Sequence, residues 1–356
     1  MLSAQLITAL LLAAPSIPQD AGISWTNVHE LAFEGQGWSE VKSPFDRLPA
    51  KAEGVVRGPV WSLSQDSSGM CARFVTDATE LHCRWDLIDS TLEMPHMPAT
   101  GVSGVDLYVR DDKGVWRWLA CPRPNSQKMN AKLISGIDPG TREYMLYLPL
   151  YNGVTSCEVG VPEGASIKPG PERAKKDALP IVFYGTSITH GGCASRPGMP
   201  HPAILGRRLD RPIINLGFSG NGRMDLELAD LLGELEACVF VIDCLPNMNG
   251  AAVSERVVPF VKKLRALKPK TPILLVEDRS FSSSFLLSSK RRHHAASRAA
   301  LRAGYEELRS SGVKRLHYLE GSQLLGNEDT VDGSHPTDLG FVRQADVFEA
   351  ALRRIL

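Results

Sequence analysis

Hydrophobic and polar positions follow one rhythm up to about residue 167 and another after residue 180. In the first stretch, short runs at 55–63, 70–75, 81–88, 105–110, 115–120, 145–150 and 156–161 alternate apolar with polar side chains and are broken by Gly, Pro, Asp and Ser. Alternation of period two sends successive side chains to opposite faces of a strand, so this spacing predicts an antiparallel β-sandwich. Asp111-Asp-Lys-Gly114 and Asp138-Pro-Gly140 supply the turn chemistry that hairpins need. In the second stretch, apolar runs at 181–184, 213–216, 239–242, 273–276 and 313–318 alternate with segments of helical period at 225–235, 253–267, 289–309 and 339–356. Brief β-branched runs suit strands buried on both faces. Their alternation with helices predicts a doubly wound parallel sheet of about five strands in flavodoxin-like order.

Between the two rhythms, Lys168-Pro-Gly-Pro-Glu-Arg-Ala-Lys-Lys-Asp177 has prolines and charges but no apolar face. The expected organisation is therefore a β-sandwich domain at 23–167, a linker at 168–179 and an α/β domain at 180–356. A chain of 356 residues is long enough for two such cores. The run Leu6-Ile-Thr-Ala-Leu-Leu-Leu-Ala-Ala14 has the length of a secretory signal's apolar region and is too short to span a bilayer, although no Lys or Arg precedes it. Residues 1–22 are expected to be a signal peptide or a disordered N-terminus, with export favoured. No later run reaches the ~20 apolar residues of a transmembrane helix, so no stable membrane insertion is expected.

Lys plus Arg number 40 and equal Asp plus Glu, so no global field attracts nucleic acid or an anionic membrane. A small or neutral substrate fits better. The seven cysteines (71, 83, 121, 157, 193, 238 and 244) are scattered and show no Cys-x-x-Cys spacing, which argues against a zinc ribbon and a disulfide-built scaffold. One or two disulfides stay open, with no pairing fixed.

Candidate chemistry lies where strands end. Ser187 follows the strand at 181–184 by a glycine turn, and Ser-Ile-Thr-His can open a helix whose N–H groups favour negative charge. A helix cap is the plainer role for such a serine. In flavodoxin-like order the first and third strands are neighbours, with a ligand crevice between their carboxyl ends, and Asn247 in Leu245-Pro246-Asn247 follows the third strand. A preorganised asparagine amide donating to an oxyanion is worth about 3 kcal/mol. A turn role for Asn247, and Asn249 as its competitor, stay open. Gly217, Gly220 and Gly222 follow the second strand and let backbone N–H groups approach an anion, while their place and spacing exclude the dinucleotide fingerprint.

Asp332 and His335 lie in a loop after the last strand, where the carboxylate can hold one imidazole nitrogen while the other faces Ser187. The alternatives are loop hydrogen bonding or half a metal site, but no third ligand with suitable spacing is nearby, so neither metal nor cofactor is expected. His190 is the rival base. Lacking a local carboxylate, it is assigned to substrate-pocket lining or packing. Lys290-Arg-Arg-His-His294 reads as a solvated helix face, with a phosphate-binding patch as the alternative. Cys193 reads as a structural thiol, and Asp243 as a loop cap or a support for Asn247.

These blocks, in this order, resemble the SGNH (GDSL-type) hydrolases, a superfamily of serine esterases, lipases and acyltransferases. The resemblance rests on Ser187, on Gly220 in Asn215-Leu-Gly-Phe-Ser-Gly220, on Asn247, and on Asp332 with His335. Upstream, Gly104-Val-Asp106-Leu107-Tyr108, preceded by Met94-Pro-His-Met97, is similar to the β-rich domain that precedes the catalytic domain in one bacterial subgroup with a Gly-x-Asp-Leu-Tyr signature. Members of that subgroup are often exported and include carbohydrate acetylesterases and acyltransferases. The superfamily's Gly-Asp-Ser is here Gly185-Thr186-Ser187, which should alter local hydrogen bonding without removing the mechanism.

The resemblance implies a Ser187-His335-Asp332 triad, with an oxyanion hole from the N–H groups of Ser187 and Gly220 and the side chain of Asn247. It implies a carboxylic ester hydrolase, an acetylesterase on a carbohydrate or another small acyl ester, with no nucleic-acid partner and an unassigned oligomeric state. An acyltransferase using the same acyl-enzyme is one alternative. A glycan-binding module joined to an inactive hydrolase-like domain is the other, and the complete set of site residues speaks against it.

Overall fold

The computed structural model describes residues 22–356, so the apolar run at 6–14 and the signal expected there lie outside the described residues. The first half comprises β1 (Ile23–Asn27), β2 (Ala32–Glu34), α1 (Gly58–Ser64), β3 (Cys71–Thr76), β4 (Glu80–Leu87), α2 (Ala99–Val102), β5 (Asp106–Arg110), β6 (Trp116–Ala120), β7 (Lys128–Ser135), β8 (Arg142–Tyr147), β9 (Val154–Pro162) and β10 (Ile167–Pro169). One antiparallel sheet has the order β1-β9-β4-β7; the other runs β10-β3-β8-β5-β6, with β2 on the free side of β3. Inward-facing side chains of both, including Trp85 and Val159 from one and Phe74, Leu107 and Leu146 from the other, form a single dry core. The β5–β6 hairpin turns at Asp111–Gly114 as its sequence requires: the Asp111 carboxylate accepts from the N–H groups of Lys113 (3.0 Å) and Val115 (2.8 Å), and Gly114 takes φ 77°.

The second half comprises β11 (Ile181–Gly185), α3 (Ser187–His190), α4 (His201–Leu209), β12 (Ile213–Gly217), α5 (Leu226–Leu232), β13 (Val239–Asp243), α6 (Gly250–Leu267), β14 (Ile273–Val276), α7 (Ser288–Ser310), β15 (Leu316–Leu319) and α8 (Asp338–Ile355). Its strands are all parallel, in the order β12-β11-β13-β14-β15, which is the expected flavodoxin-like arrangement. Alternate residues feed two cores. Val182, Tyr184, Phe240 and Ile242 pack under α5 to α7, and Ile181, Phe183, Val239 and Val241 under α4 and α8. Gly185 pairs in register with Gly217 and Asp243, so the carboxyl ends of β11, β12 and β13 are level.

One expected strand is corrected. Residues 55–63 fold largely as α1, because Pro59 at the first helical turn fixes a helical φ and has no N–H to give a ladder. Leu48, Ala52, Val56 and Val60 then join the core beneath the parallel sheet, so this first-half segment packs as part of the second half. The halves are also clamped by polar contacts. Buried Arg47 donates to the carbonyl oxygens of Asn215 (3.0 Å) and Gly217 (2.8 Å). Asp106 of the Gly-x-Asp-Leu-Tyr segment, fully buried, accepts from Arg196 (2.8 Å), from the N–H of Gly198 (2.9 Å) and from Trp118 (2.9 Å).

Candidate active site

Strand β11 delivers its last residue, Gly185, into a space where a Cβ would lie 2.1 Å from Thr189 Oγ1, so only glycine fits. Thr186 then caps α3 by accepting from the N–H of Ile188 (3.3 Å), which leaves Ser187 as the first helical residue rather than the cap. Gly191, at φ 114°, stops the helix after one turn. Ser187 is 8% exposed, and its Oγ is 2.8 Å from Nε2 of His335. On the far side of that ring, Nδ1 is 2.7 Å from Oδ2 of Asp332, while Oδ1 of Asp332 accepts from the N–H groups of His335 (2.8 Å) and Ser334 (3.0 Å). Burial alone would raise the Asp332 carboxyl; the hydrogen bonds from His335 and Ser334 outweigh it and hold the group below the usual carboxylate range. The loop is closed on itself, since the His335 carbonyl accepts from the N–H of Val331 (2.9 Å) and from Thr330 Oγ1 (2.8 Å).

The glycine loop after β12 seats against this turn. A Cβ at Gly222 would lie 1.9 Å from Gly185 O, and one at Gly217 would lie 2.1 Å from His190 N, so these two glycines permit the close approach. Gly220 instead faces open space at φ 68°. Among the described residues, the N–H groups of Ser187 and Gly220 have no protein acceptor. Asn247 ends the one-turn 3₁₀ helix Leu245–Asn247 after β13. The amide orientation its surroundings require sets Oδ1 3.0 Å from the Asn221 N–H and 3.2 Å from that of Gly222, which turns Nδ2 away as a donor. Asn249, its competitor, is occupied as the cap of α6, accepting from the N–H of Ala252 (2.9 Å).

The first half reaches the same place. Tyr151, just after β8, donates its hydroxyl to the Ser187 carbonyl (3.3 Å), and a Cβ on neighbouring Gly192 would touch both Tyr151 Oη (2.9 Å) and His335 Cδ2 (3.4 Å). The ring of His96, from Met94-Pro-His-Met97, lies 6.3 Å from that of His335, edge to face. The same loop packs on the catalytic half: Thr100 donates to the Ser195 carbonyl (2.6 Å), and Met97 enters the core above β11. Sequence reading singled out neither Tyr151 nor His96. The motif around His96 was the only available signal.

Two expectations change. His190 is fully buried, stacks on Tyr151 at 4.0 Å between centroids, and donates Nε2–H to the Leu150 carbonyl (2.7 Å). Burial, with Arg47 nearby, holds it neutral. A ring enclosed in this way packs the junction between the halves and has no face to offer a substrate. Asp243 makes no bond to Asn247; it forms a buried ion pair with Arg279, which also donates to Gln344. All seven cysteines are free, and burial together with Asp332 pushes the Cys193 thiol up to about 12, far from thiolate chemistry. Among the described residues there is no His, Cys, Asp and Glu cluster that could hold a metal ion. A groove of about 780 Å³ beside β15 includes no residue of this site and has no nucleophile of its own.

Comparison with known proteins was made on this geometry. Residues 178–353 match the family model described as GDSL-like Lipase/Acylhydrolase family, and residues 23–167 match GxDLY, the N-terminus of Esterase_SGNH_hydro-type. No curated protein matches the chain. Among solved structures, a GDSL-like lipase from Bacteroides ovatus ATCC 8483 is 32% identical, with 94% of this chain and 98% of that chain covered and a TM-score of 0.88. The salicylyl-acyltransferase SsfX3 from a tetracycline biosynthetic pathway is 20% identical, with 95% and 97% covered and a TM-score of 0.71. A family two carbohydrate esterase from Clostridium thermocellum, solved with cellohexaose, is 16% identical, with 81% and 92% covered and a TM-score of 0.58. The last two likenesses speak to fold alone.

Proposed function

Since this chain belongs to the GDSL-like lipase/acylhydrolase family and is an ester hydrolase, we propose that Ser187, His335 and Asp332 are its catalytic triad and that Ser187 carries the acyl group. The observation that carries the reading is the unbroken hydrogen-bonded chain from Asp332 Oδ2 through the imidazole to Ser187 Oγ, at 2.7 and 2.8 Å. Asp332, ionised through the neutral range, fixes the proton on Nδ1 and leaves Nε2 as the acceptor. As Oγ attacks the ester carbonyl, Nε2 takes the hydroxyl proton. The oxyanion that forms is held by the N–H groups of Ser187 and Gly220 and by Nδ2 of Asn247, all of which lack a competing protein acceptor in the orientation described above. The imidazolium then protonates the departing alcohol. In the second half, His335 deprotonates a water that attacks the acyl-enzyme, and Ser187 regains its proton.

The substrate proposed is a small acyl ester, with an acetyl group on a carbohydrate as the leading case; the carbohydrate esterases among the fold neighbours support that direction. Transfer of the acyl group to an alcohol is a second reading, supported by the fold shared with SsfX3. Adding acceptor alcohols and measuring acylated product against free acid separates the two. We also propose 23–167 and 180–356 as the two structural units, joined through 168–179, and export directed by the run at 6–14. Exported protein should then begin downstream of residue 14, and a cytoplasmic chain retaining Met1 would contradict export.

Replacing Ser187 with alanine tests the catalytic proposal. Hydrolysis of 4-nitrophenyl acetate should fall by about 10⁴-fold or more. Cleavage at the unchanged rate would contradict it.

A further inference from the structure

Five of the thirteen large hydrophobic side chains exposed among the described residues lie on two segments beside His335. Phe285, Leu286 and Leu287, at 85%, 72% and 43% exposure, form the tip between β14 and α7, while Val331 (47%) and Leu339 (54%) flank the Asp332–His335 turn. The two segments are joined where the Ser282 N–H donates to the Gly333 carbonyl (2.9 Å). The tip is held out by protein contacts and does not fold back. Arg291 donates to the carbonyl oxygens of Ser284 (2.7 Å) and Phe285 (2.9 Å), and the Phe281 ring at its base lies 4.7 Å from that of His294 and 4.6 Å from Lys290 Nζ.

The charge around this apolar rim has one sign. Helix α7 carries Lys290, Arg291, Arg292, Arg298 and Arg302 before its first acid, Glu306. Lys290, Arg291 and Arg292 are exposed and form no ion pair, and Arg292 reaches only Ser288 Oγ (3.1 Å). Apolar side chains projecting beside unpaired cations match the head-group region of an anionic bilayer, where the first insert and the second meet phosphate. A second copy of this chain on the same face would set cation against cation. Because the whole chain has a formal net charge of zero, the attraction is local and fixes the orientation.

We propose that this rim docks the mouth of the Ser187 site onto an anionic lipid surface, with Phe285 and Leu286 inserted among the head groups and Lys290 and Arg292 over lipid phosphates. The inference does not depend on which ester is cleaved, and the test reads binding without turnover. The full chain should co-sediment with phosphatidylglycerol–phosphatidylcholine vesicles about tenfold more than with phosphatidylcholine alone, and less as salt rises. The Phe285→Ser/Leu286→Ser and Lys290→Glu/Arg292→Glu variants should each lose about tenfold of that binding while cleaving soluble 4-nitrophenyl acetate at the unaltered rate. The proposal is overturned if the wild-type chain stays in solution with anionic vesicles, or if both variants bind as it does. It is also overturned if light scattering finds a dimer that the tip variant dissolves while no vesicle is bound.

Discussion

Replacing Asp332 with asparagine isolates one atom's role, because the side chain keeps its shape and changes only its proton inventory. In the native turn, Oδ1 accepts two backbone N–H groups, from Ser334 and His335, and Oδ2 accepts from the imidazole. An asparagine that keeps both backbone bonds must aim its NH₂ group at Nδ1. Two donors cannot face each other, so the imidazole moves its proton to Nε2, the nitrogen 2.8 Å from Ser187 Oγ. Nε2 then donates to the hydroxyl instead of accepting from it, and the base is lost. The same exchange in the Ser-His-Asp template lowers kcat about 10⁴-fold, equivalent to about 5.5 kcal/mol. The assay is steady-state hydrolysis of 4-nitrophenyl acetate near pH 7.5, with circular dichroism to show an unchanged fold. We expect kcat to fall by about 10³–10⁴ with KM within a few fold. Retention of activity within tenfold would refute the orienting role of Asp332.

Asn247→Ala should remove one of three oxyanion donors and lower kcat by about 10²–10³, leaving fluorophosphonate labelling of Ser187 slowed but present; an unaltered kcat would show that the amide does not face the reaction. Asp106→Ala strips a buried carboxylate from Arg196, Gly198 and Trp118 and should cost about 3–5 kcal/mol in denaturant unfolding, whereas a loss below about 1 kcal/mol would deny the clamp between halves. Burial lifts Asp66 to about 7 against the pull of Arg47. Folded chains therefore keep this proton between about pH 4 and 7 while unfolded chains have lost it, so this group's contribution to stability falls as pH rises through that window and is level above it. The Tm of Asp66→Asn relative to wild type should accordingly climb from pH 4 to 7, and a difference that stays flat would contradict the assignment.

The parallel sheet was legible because each of its strands is a brief β-branched run between helical stretches, and in this topology the second strand must leave β11 on the opposite side from the third. Residues 55–63 misled because Val55, Trp61 and Leu63 alternate like a strand, while the helix is set by one proline at its first turn. β7 escaped notice for the opposite reason. It buries only Met129, so its sequence carries no period of two. α4 was hidden by Pro202 and Gly206, residues that ordinarily break helices, although Pro202 sits in the first turn and Gly206 lets the helix pack 2.8 Å from Ile213. In the site, Ser187, Asn247, Asp332 and His335 stood out because each is fixed by the turn that carries it. Tyr151, His96 and Arg279 did not. Their positions depend on contacts between segments 36 or more residues apart, and no local pattern encodes these.

The central claim is that one serine hydroxyl, primed by His335, becomes acylated. Incubating the folded chain with a fluorophosphonate and mapping the adduct by peptide mass spectrometry tests it most directly. The account predicts a single adduct on the peptide bearing Ser187, abolished in Ser187→Ala and strongly slowed in His335→Ala. An adduct on another residue, or none while ester hydrolysis proceeds, would contradict it.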